Sequence, residues 1–391
     1  MQITVLMEKD ESAYTNFLLR FERSSMVASL LFRDFLQKMT YPSIPYYLVA
    51  KEGEDIVGVL PAFLKKGKYG SVLNSLPWFG SNPGVISNDV EAASLLVGAF
   101  LKTAEWTDCL SATLIAAPFD EFQEDEIYSA SFSGGLVDSR VGAVTILSNF
   151  SGFELHNQLE KRIKEDQSIS DRINDMDEYP ITELFKSIHS KTRNQIRKSY
   201  KENFVGRCNP DRPLIENAAL DFLMQAHKDN MQKIGGPVKS KEFEIIGKWQ
   251  VGKDCNLYVS RQKETGHHTA ALLVVYFNKT VDYWVPAISV DYRHLCPLHG
   301  LIFQAMTDAA KRGFKYWNWG GTTIPGMEDV LHFKTRFGGQ TCEYKYYTKM
   351  FKTLPAAIDE KDLMATYPYF YVMPKKFIGW GLSGRGAKHG S

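Results

Sequence analysis

The chain has 391 residues, of which 44% are hydrophobic, 13% aromatic and 23% charged, with a net charge near +1. That length accommodates two domains with separate cores, and the neutral balance excludes global attraction to nucleic acid or to an anionic membrane, leaving such contacts to local patches. Five cysteines (Cys109, Cys208, Cys255, Cys296, Cys342) stand far apart with no C-x-x-C pair, the pattern of free thiols in a reducing, cytoplasmic compartment. No signal peptide and no transmembrane segment are expected, since the N-terminus lacks a basic-then-apolar leader and no run of about 18 apolar residues occurs.

Residues 12–39 carry Phe17, Leu18, Phe21, then Leu30, Leu31, Phe35 and Met39 at helical spacing, and Pro42 and Pro45 end the pattern. Tyr46–Ala50 and Ile56–Leu64 read as strands of a hairpin, with Pro61 marking an edge or a bulge. The stretch from Tyr69 to Val85 is too rich in Gly, Pro and Asn for a strand and too aromatic for a surface loop. Two readings of it stay open: Trp78, Phe79 and Asn82 wall an acceptor pocket, or a cis-proline turn plugs the core with its aromatics. Val90–Trp106 reads as a helix, and Ala112–Ala116 and Val141–Ile146 as strands, with an acidic loop or short helix over 118–134.

Residues 151–185 alternate charges as a solvated connecting helix does. From Lys186 to Arg207 there are seven Lys/Arg against one acid, Glu202. On a helix Arg193 and Arg197 lie one turn apart with Lys198 beside them, and paired guanidinium groups can grip a phosphate. Asn217–Ile234 and Lys241–Trp249 read as helices, followed by strands over Asn256–Ser260, Thr269–Phe277 and Val281–Ala287. The order of helices, hairpin, strand and helix occurs in both halves, a repeat expected of two tandem α/β domains. Leu298, Leu301, Ile302, Ala305, Met306 and Ala309 share a helix face between a Pro297 start and a Gly313 stop. Phe314–Trp319 reads as a buried strand, Gly320-Gly321 allows a sharp turn or close approach to a ligand, and a short helix carries Lys334 to Gly338-Gly339. The last strand holds Tyr344, Tyr346 and Tyr347.

The succession Gly313-Phe-Lys-Tyr-Trp-Asn-Trp-Gly-Gly, Phe333-Lys334, Phe337-Gly338-Gly339 and a Tyr-rich strand resembles the second domain of FemAB-like transferases. These comprise the Fem-type peptidoglycan-bridge aminoacyltransferases and relatives in exopolysaccharide and surface systems. The Gly58-Val-Leu-Pro strand with Ser75-Leu-Pro-Trp-Phe-Gly, and the Arg193-Asn-x-Ile-Arg-Lys run, extend the likeness over roughly residues 46–90 and 185–347. The resemblance implies an α/β (α+β) fold of two tandem GNAT-like domains, each a mixed, mostly antiparallel sheet flanked by helices. Domain limits are then 1–150 on the acceptor side, a connector at 151–185, 186–350 on the donor side, and a segment 351–391 that packs back and ends in a flexible tail.

The implied reaction moves an activated acyl or aminoacyl group onto an amine of a cell-envelope, glycan or peptide acceptor, in peptidoglycan or polysaccharide biosynthesis. Phe333-Lys334 fall where the family places the lysine that faces the oxyanion or donor phosphate. Arg193, Arg197 and Lys198 are the implied phosphate contacts, and Trp78, Phe79, Asn82, Gly320 and Gly321 line the acceptor pocket, set in a cleft between the domains. The donor, aminoacyl-tRNA or acyl-CoA, stays open. In residues 291–300 only Gly300 is a glycine and Pro297 lacks an N–H, unlike the pyrophosphate loop of CoA-dependent GNAT enzymes. That departure favours aminoacyl-tRNA. No permanently bound cofactor and no metal is implied, and His267, His268, His294 and His299 read as ordinary polar residues. The family's strand aspartate is Asn318 here, and none of Asp291, Glu328 and Asp329 stands out as the general base. Two rivals remain: an acetyl-CoA N-acetyltransferase, and a non-catalytic binding protein that keeps the fold.

Overall fold

The computed structural model describes residues 1–78, 82–118, 122, 126–147, 181–208, 213–234, 245–246, 249–354 and 358–374. Phe79, most of the expected connector and the C-terminal tail lie outside these residues. The chain divides into two compact units, Met1–Gly142 with Cys342–Ser391, and Ala143–Thr341. Residues 342–350, assigned on sequence to the second domain, thus fall in the first unit.

Up to the unit boundary the elements are β1 Gln2–Val5, α1 Glu11–Arg20, α2 Leu30–Met39, β2 Ser43–Pro45, β3 Leu48–Glu52, β4 Asp55–Leu60, β5 Phe63–Gly67, β6 Gly70–Asn74, β7 Ile86–Ser87, α3 Val90–Trp106, β8 Cys109–Ile115, α4 Glu126–Ser131 and β9 Leu136–Ile146, which crosses it. There follow α5 Ile181–Ser187, α6 Ser190–Glu202, β10 Asn203–Arg207, α7 Pro213–Ile234, β11 Cys255–Gln262, β12 His268–Phe277, β13 Thr280–Ile288, α8 Pro297–Lys311, β14 Tyr316–Thr322 and α9 Glu328–Thr335. The chain returns to the first unit in β15 Gln340–Met350 and ends, as described, with α10 Glu360–Thr366.

In the first unit β1–β3–β4–β7 form one sheet, and β2–β5–β6–β8–β15 are neighbours in another. The single strand expected over 56–64 is therefore two. Pro61, which has no N–H for a ladder, stands where β4 leaves one sheet and β5 enters the other. The Asp89 carboxylate caps α3 by accepting from Glu91 and Ala92 N–H at 2.7 and 3.1 Å. That helix carries the chain from β6 to its parallel partner β8, with Leu73 opposite Ala112, and buries Leu96, Val97 and Phe100 against Leu64, Leu114 and Tyr347.

The second unit orders its strands β10–β11–β12–β13–β14. Every residue of β12 from Thr269 to Tyr276 is buried, as its unbroken apolar run requires of a central strand covered on both faces. All pairings are antiparallel except β13 with β14, which run parallel through three pairs and end at Asp282 opposite Asn318. The crossover is α8. Its predicted face (Leu301, Ile302, Ala305, Met306, Ala309) is buried with Leu272, Val274 and Val281, and Gly313 follows its end at φ 79°. Each unit thus leads antiparallel strands into one parallel pair joined by a long helix, the tandem GNAT-like α/β architecture expected. No described helix is long and apolar enough to cross a membrane.

Gly300 has a packing duty. A Cβ there would lie 3.0 Å from the Ser199 Cβ and 3.2 Å from a Val205 methyl, so α6 and β10 need its bare backbone. The substitution Gly300→Ala gains helix propensity of about 1 kcal/mol but overpacks this contact at about 1–3 kcal/mol. Chemical denaturation should show a net loss of up to about 2 kcal/mol; a variant more stable than the native chain would refute the packing role.

Candidate active site

Lys334 is the centre of the site. It projects from the short helix α9 yet is only 6% exposed, which removes the reading of a surface lysine. Its Nζ donates to Gly320 O at 3.3 Å, Gly321 O at 3.2 Å and Thr322 Oγ1 at 2.9 Å. All three hydrogens of the ammonium are therefore used, and all three acceptors are neutral. Burial away from water pushes its pKa down to about 8.

The bed under Lys334 is built by β14. Asn318 Oδ1 accepts from Gly320 N–H at 3.0 Å, an Asx-type turn that ends the regular strand. Gly320 there adopts φ 70°, a conformation glycine takes without steric cost. The strand was expected to end at Trp319; it continues, bent, to Thr322. Asn318 Nδ2 donates to Asp282 Oδ1 on β13 at 2.7 Å. Asn318 thus has a carboxylate partner on the adjacent strand, and Asp282 is not among the residues singled out from sequence. Its position in an otherwise apolar strand, Val281-Asp282-Tyr283, was the available signal.

Trp317 and Trp319 are core residues, as expected. Trp319 Nε1 donates to Thr145 Oγ1 at 2.9 Å, and that hydroxyl donates to Phe337 O at 3.3 Å, tying the strand to the end of α9. Phe333 is half-buried and packs with its centroid 5.4 Å from both the His299 and Phe337 rings. His299, passed over on sequence, is held neutral in this apolar setting: burial lowers its pKa to about 4. Its Nδ1 has no hydrogen-bond partner among the described residues.

The basic helix α6 adjoins this region, since His189 N–H donates to Arg336 O at 2.9 Å. Arg193 is committed to structure, with Nη1 donating to the carbonyls of Lys186 and Ile188 at 3.0 and 2.7 Å, which closes the end of α5. Arg197 bonds Asn194 Oδ1 and lies 5.0 Å above the Phe185 ring, while Lys198 is exposed. The two arginines therefore do not form a free pair aimed at one anion. Gly320 and Gly321 serve the site as acceptors for Lys334.

Trp78 and Asn82 belong to the first unit. Trp78 is buried at φ 82°, its N–H donating to Tyr369 O at 2.8 Å and its ring packed on Phe35 and Tyr369. It plugs that core. The described cis peptides are Tyr41–Pro42 and Ile324–Pro325, so Pro77 does not form the cis turn considered from sequence. Asn82 is also buried. Of the base candidates, Asp291, Glu328 and Asp329 are all exposed. Glu328 takes two bonds from Gly326 N–H, which hold its carboxyl below the usual range and make it a weaker base. Among the described residues no group of His, Cys, Asp and Glu forms a metal set.

The lowered pKa fixes the sign of a stability effect. Between about 8 and the ordinary lysine value of 10.5 the unfolded chain binds the proton and the folded chain does not, so Lys334 makes stability rise with pH across that window. Below it, the folded state carries the full desolvation cost. The difference in unfolding free energy between the native chain and Lys334→Met should therefore shift by about 2–3 kcal/mol in favour of the native chain from pH 7.5 to 10.5. Denaturation at both pH values measures it, and a pH-independent difference would contradict the burial of a charged lysine.

The FemAB family profile matches residues 253–346, which hold β11 to β14, Lys334 and the tyrosine strand as far as Tyr346. Among solved structures, FemX superposes with a TM-score of 0.63 at 11% identity, over 88% of this chain and 97% of its own. A conserved protein of unknown function from Bacteroides thetaiotaomicron gives 0.52 at 12% identity, over 90% and 100%. The C-terminal domain of a putative lysylphosphatidylglycerol synthetase from Agrobacterium fabrum gives 0.50 at 12% identity, over 86% and 90%. No curated protein matches the sequence. The family profile thus lies over the strands and helix that build the Lys334 site, and the likeness to FemX over most of the chain shows a tandem GNAT-like fold.

Proposed function

We propose that this protein transfers an activated acyl or aminoacyl group to an amine, and that Lys334 stabilises the negative charge formed at the carbonyl oxygen. One observation carries the reading: inside the FemAB-matched segment a lysine is buried on three neutral oxygens, with no salt bridge to it among the described residues. A buried charge with no opposite charge is expensive to keep, and its use is to meet a negative charge that exists only during reaction.

The acceptor nitrogen attacks the donor carbonyl carbon, a C–N bond forms, and the carbonyl electrons move to oxygen. An oxyanion replaces the longest of the three contacts of Nζ, that to Gly320 O at 3.3 Å. Collapse of the tetrahedral species breaks the C–O bond of a tRNA ester or the C–S bond of a thioester, and the proton lost by the amine goes to the departing oxygen or sulfur. Phe333, His299 and Phe337 keep water from this end of α9 by covering it with apolar surface.

Aminoacyl-tRNA is the donor we favour. The α8 N-terminus begins with Pro297, and Gly300, the one glycine there, is taken up by packing against Ser199 and Val205. It therefore does not offer the open row of N–H groups that a pyrophosphate needs. The exposed Lys191, Lys198 and Lys201 of α6 provide cations for an RNA backbone. The FemAB likeness points to a peptidoglycan precursor or a related envelope glycan or peptide as the amine acceptor, and to a cytoplasmic setting.

The test is a donor comparison. Purified protein is titrated with charged tRNA, uncharged tRNA and acetyl-CoA, and transfer to amine-bearing muropeptide is followed with each charged donor. Charged tRNA should bind, more weakly in Lys191→Ala/Lys198→Ala/Lys201→Ala, and Lys334→Met should lower kcat about 100- to 1000-fold. Micromolar acetyl-CoA binding with turnover would make it an acyl-CoA enzyme instead. Full activity in a folded Lys334→Met variant would end the catalytic reading of this residue.

A further inference from the structure

Asp282 lies outside every function assigned above, yet it is 8% exposed in the middle of a sheet, where a carboxylate is costly unless it is used. Its partner on β14 is Asn318, at the last pair of the parallel ladder. Asp282 Oδ1 accepts from the NH2 side of the Asn318 amide at 2.7 Å. The amide oxygen is then turned the other way, where it takes Gly320 N–H at 3.0 Å. With its N–H drawn to a side chain rather than into a ladder, Gly320 takes φ 70°, and the next two carbonyls, of Gly320 and Gly321, face Lys334 Nζ.

From this chain of contacts we infer that Asp282 is a positioning residue for Lys334: through the Asn318 amide and the Gly320 turn, it sets the carbonyls that hold the ammonium. The polarity of the pair, carboxylate on β13 and amide on β14, is what matters. Two amides leave the Asn318 orientation undetermined, because either end of one amide can face the other. Two carboxylates at this distance repel, and neither can donate. A carboxylate at 318 with an amide at 282 restores one donor and one acceptor between the strands and leaves a carboxylate oxygen for Gly320 N–H. The inference deepens the reading of Lys334 as the working cation and rests on it for its importance to transfer, though its physical test does not.

That test is amine reactivity in the full-length native chain. Acetic anhydride in trace amount labels lysines, and peptide mass spectrometry compares Lys334 with exposed Lys198 of the same molecule. In the native chain Lys334 should label far more slowly than Lys198. In Asp282→Asn and in Asn318→Asp the relative rate at Lys334 should rise at least 5-fold, and in the double variant Asp282→Asn/Asn318→Asp it should return to within 2-fold of native. Circular dichroism confirms that each variant is folded. Should a single variant not fold, Asn318→Gln, which keeps the amide but moves it by one methylene, should show the same rise. Unchanged labelling in a folded single variant, or a double variant as reactive as the singles, would overturn the inference. A merely structural ion would not show this recovery at Lys334. If charged tRNA supports turnover, kcat should follow the labelling pattern with KM little changed; if no donor is used, the labelling still decides the role of Asp282, and only the proposed function fails.

Discussion

An ammonium group removed from water must be given oxygens, and the geometry of the second unit around Lys334 follows from that requirement. Three donors on one nitrogen need three acceptors within about 3 Å. A regular strand cannot supply them from consecutive residues, because its carbonyls alternate in direction. The turn at Gly320 breaks the alternation, and Thr322 contributes a hydroxyl where a third carbonyl does not reach. The short helix α9 delivers Lys334 to this bed. Beyond it, Trp319, Thr145 and Phe337 fasten the end of the helix to the strand it serves.

Neutral acceptors, rather than a carboxylate, leave the charge of Lys334 uncancelled. A paired lysine would be more comfortable in the folded state and less able to respond to a new anion. The pKa near 8 is the sign of that discomfort: at neutral pH the group stays protonated, though less securely than on the surface. The Asp282 carboxylate is set two hydrogen bonds back, behind the Asn318 amide. There it can organise the turn without sitting on the ammonium.

Much of this was readable in the residues. Helix α8, with Pro297 at its start, Gly313 at its stop and its apolar spacing between, has a strong local signal, as do the apolar strands β12 and β13. Phe333 and Phe337-Gly338-Gly339 likewise mark the short helix that carries Lys334. Contacts that join distant segments left no such trace. Asp282 and Asn318 are 36 residues apart in sequence, and nothing in either neighbourhood names the other. Arg193 and Arg197 show the opposite case. Their spacing on α6 is right for an anion, but the carbonyls closing α5 claim the first, while the second stays exposed beside Phe185. Local spacing states what a side chain can do; its tertiary neighbours decide whether it is free to do it.

The internal repeat makes the same point at the scale of a unit. Both units arrive at a parallel pair of strands through a long helix, and the two pairs end differently. In the first unit the pair is sealed past its end: Ser75 N–H donates to Thr113 O at 2.9 Å and Ile115 N–H donates to Ser75 Oγ at 2.8 Å. Asn74 then clasps the backbone of Tyr371 from both sides, Nδ2 to O at 2.8 Å and N–H to Oδ1 at 2.7 Å, so the chain's own C-terminal segment takes up the hydrogen bonds at that strand end. In the second unit β13 and β14 part after Asp282 and Asn318, and the freed backbone of β14 is spent on a lysine. Backbone groups at a strand end must find partners in either case. One unit satisfies them with its own chain and closes; the other satisfies them with a buried cation, and under the proposed function it is that cation which meets the charge formed in transfer.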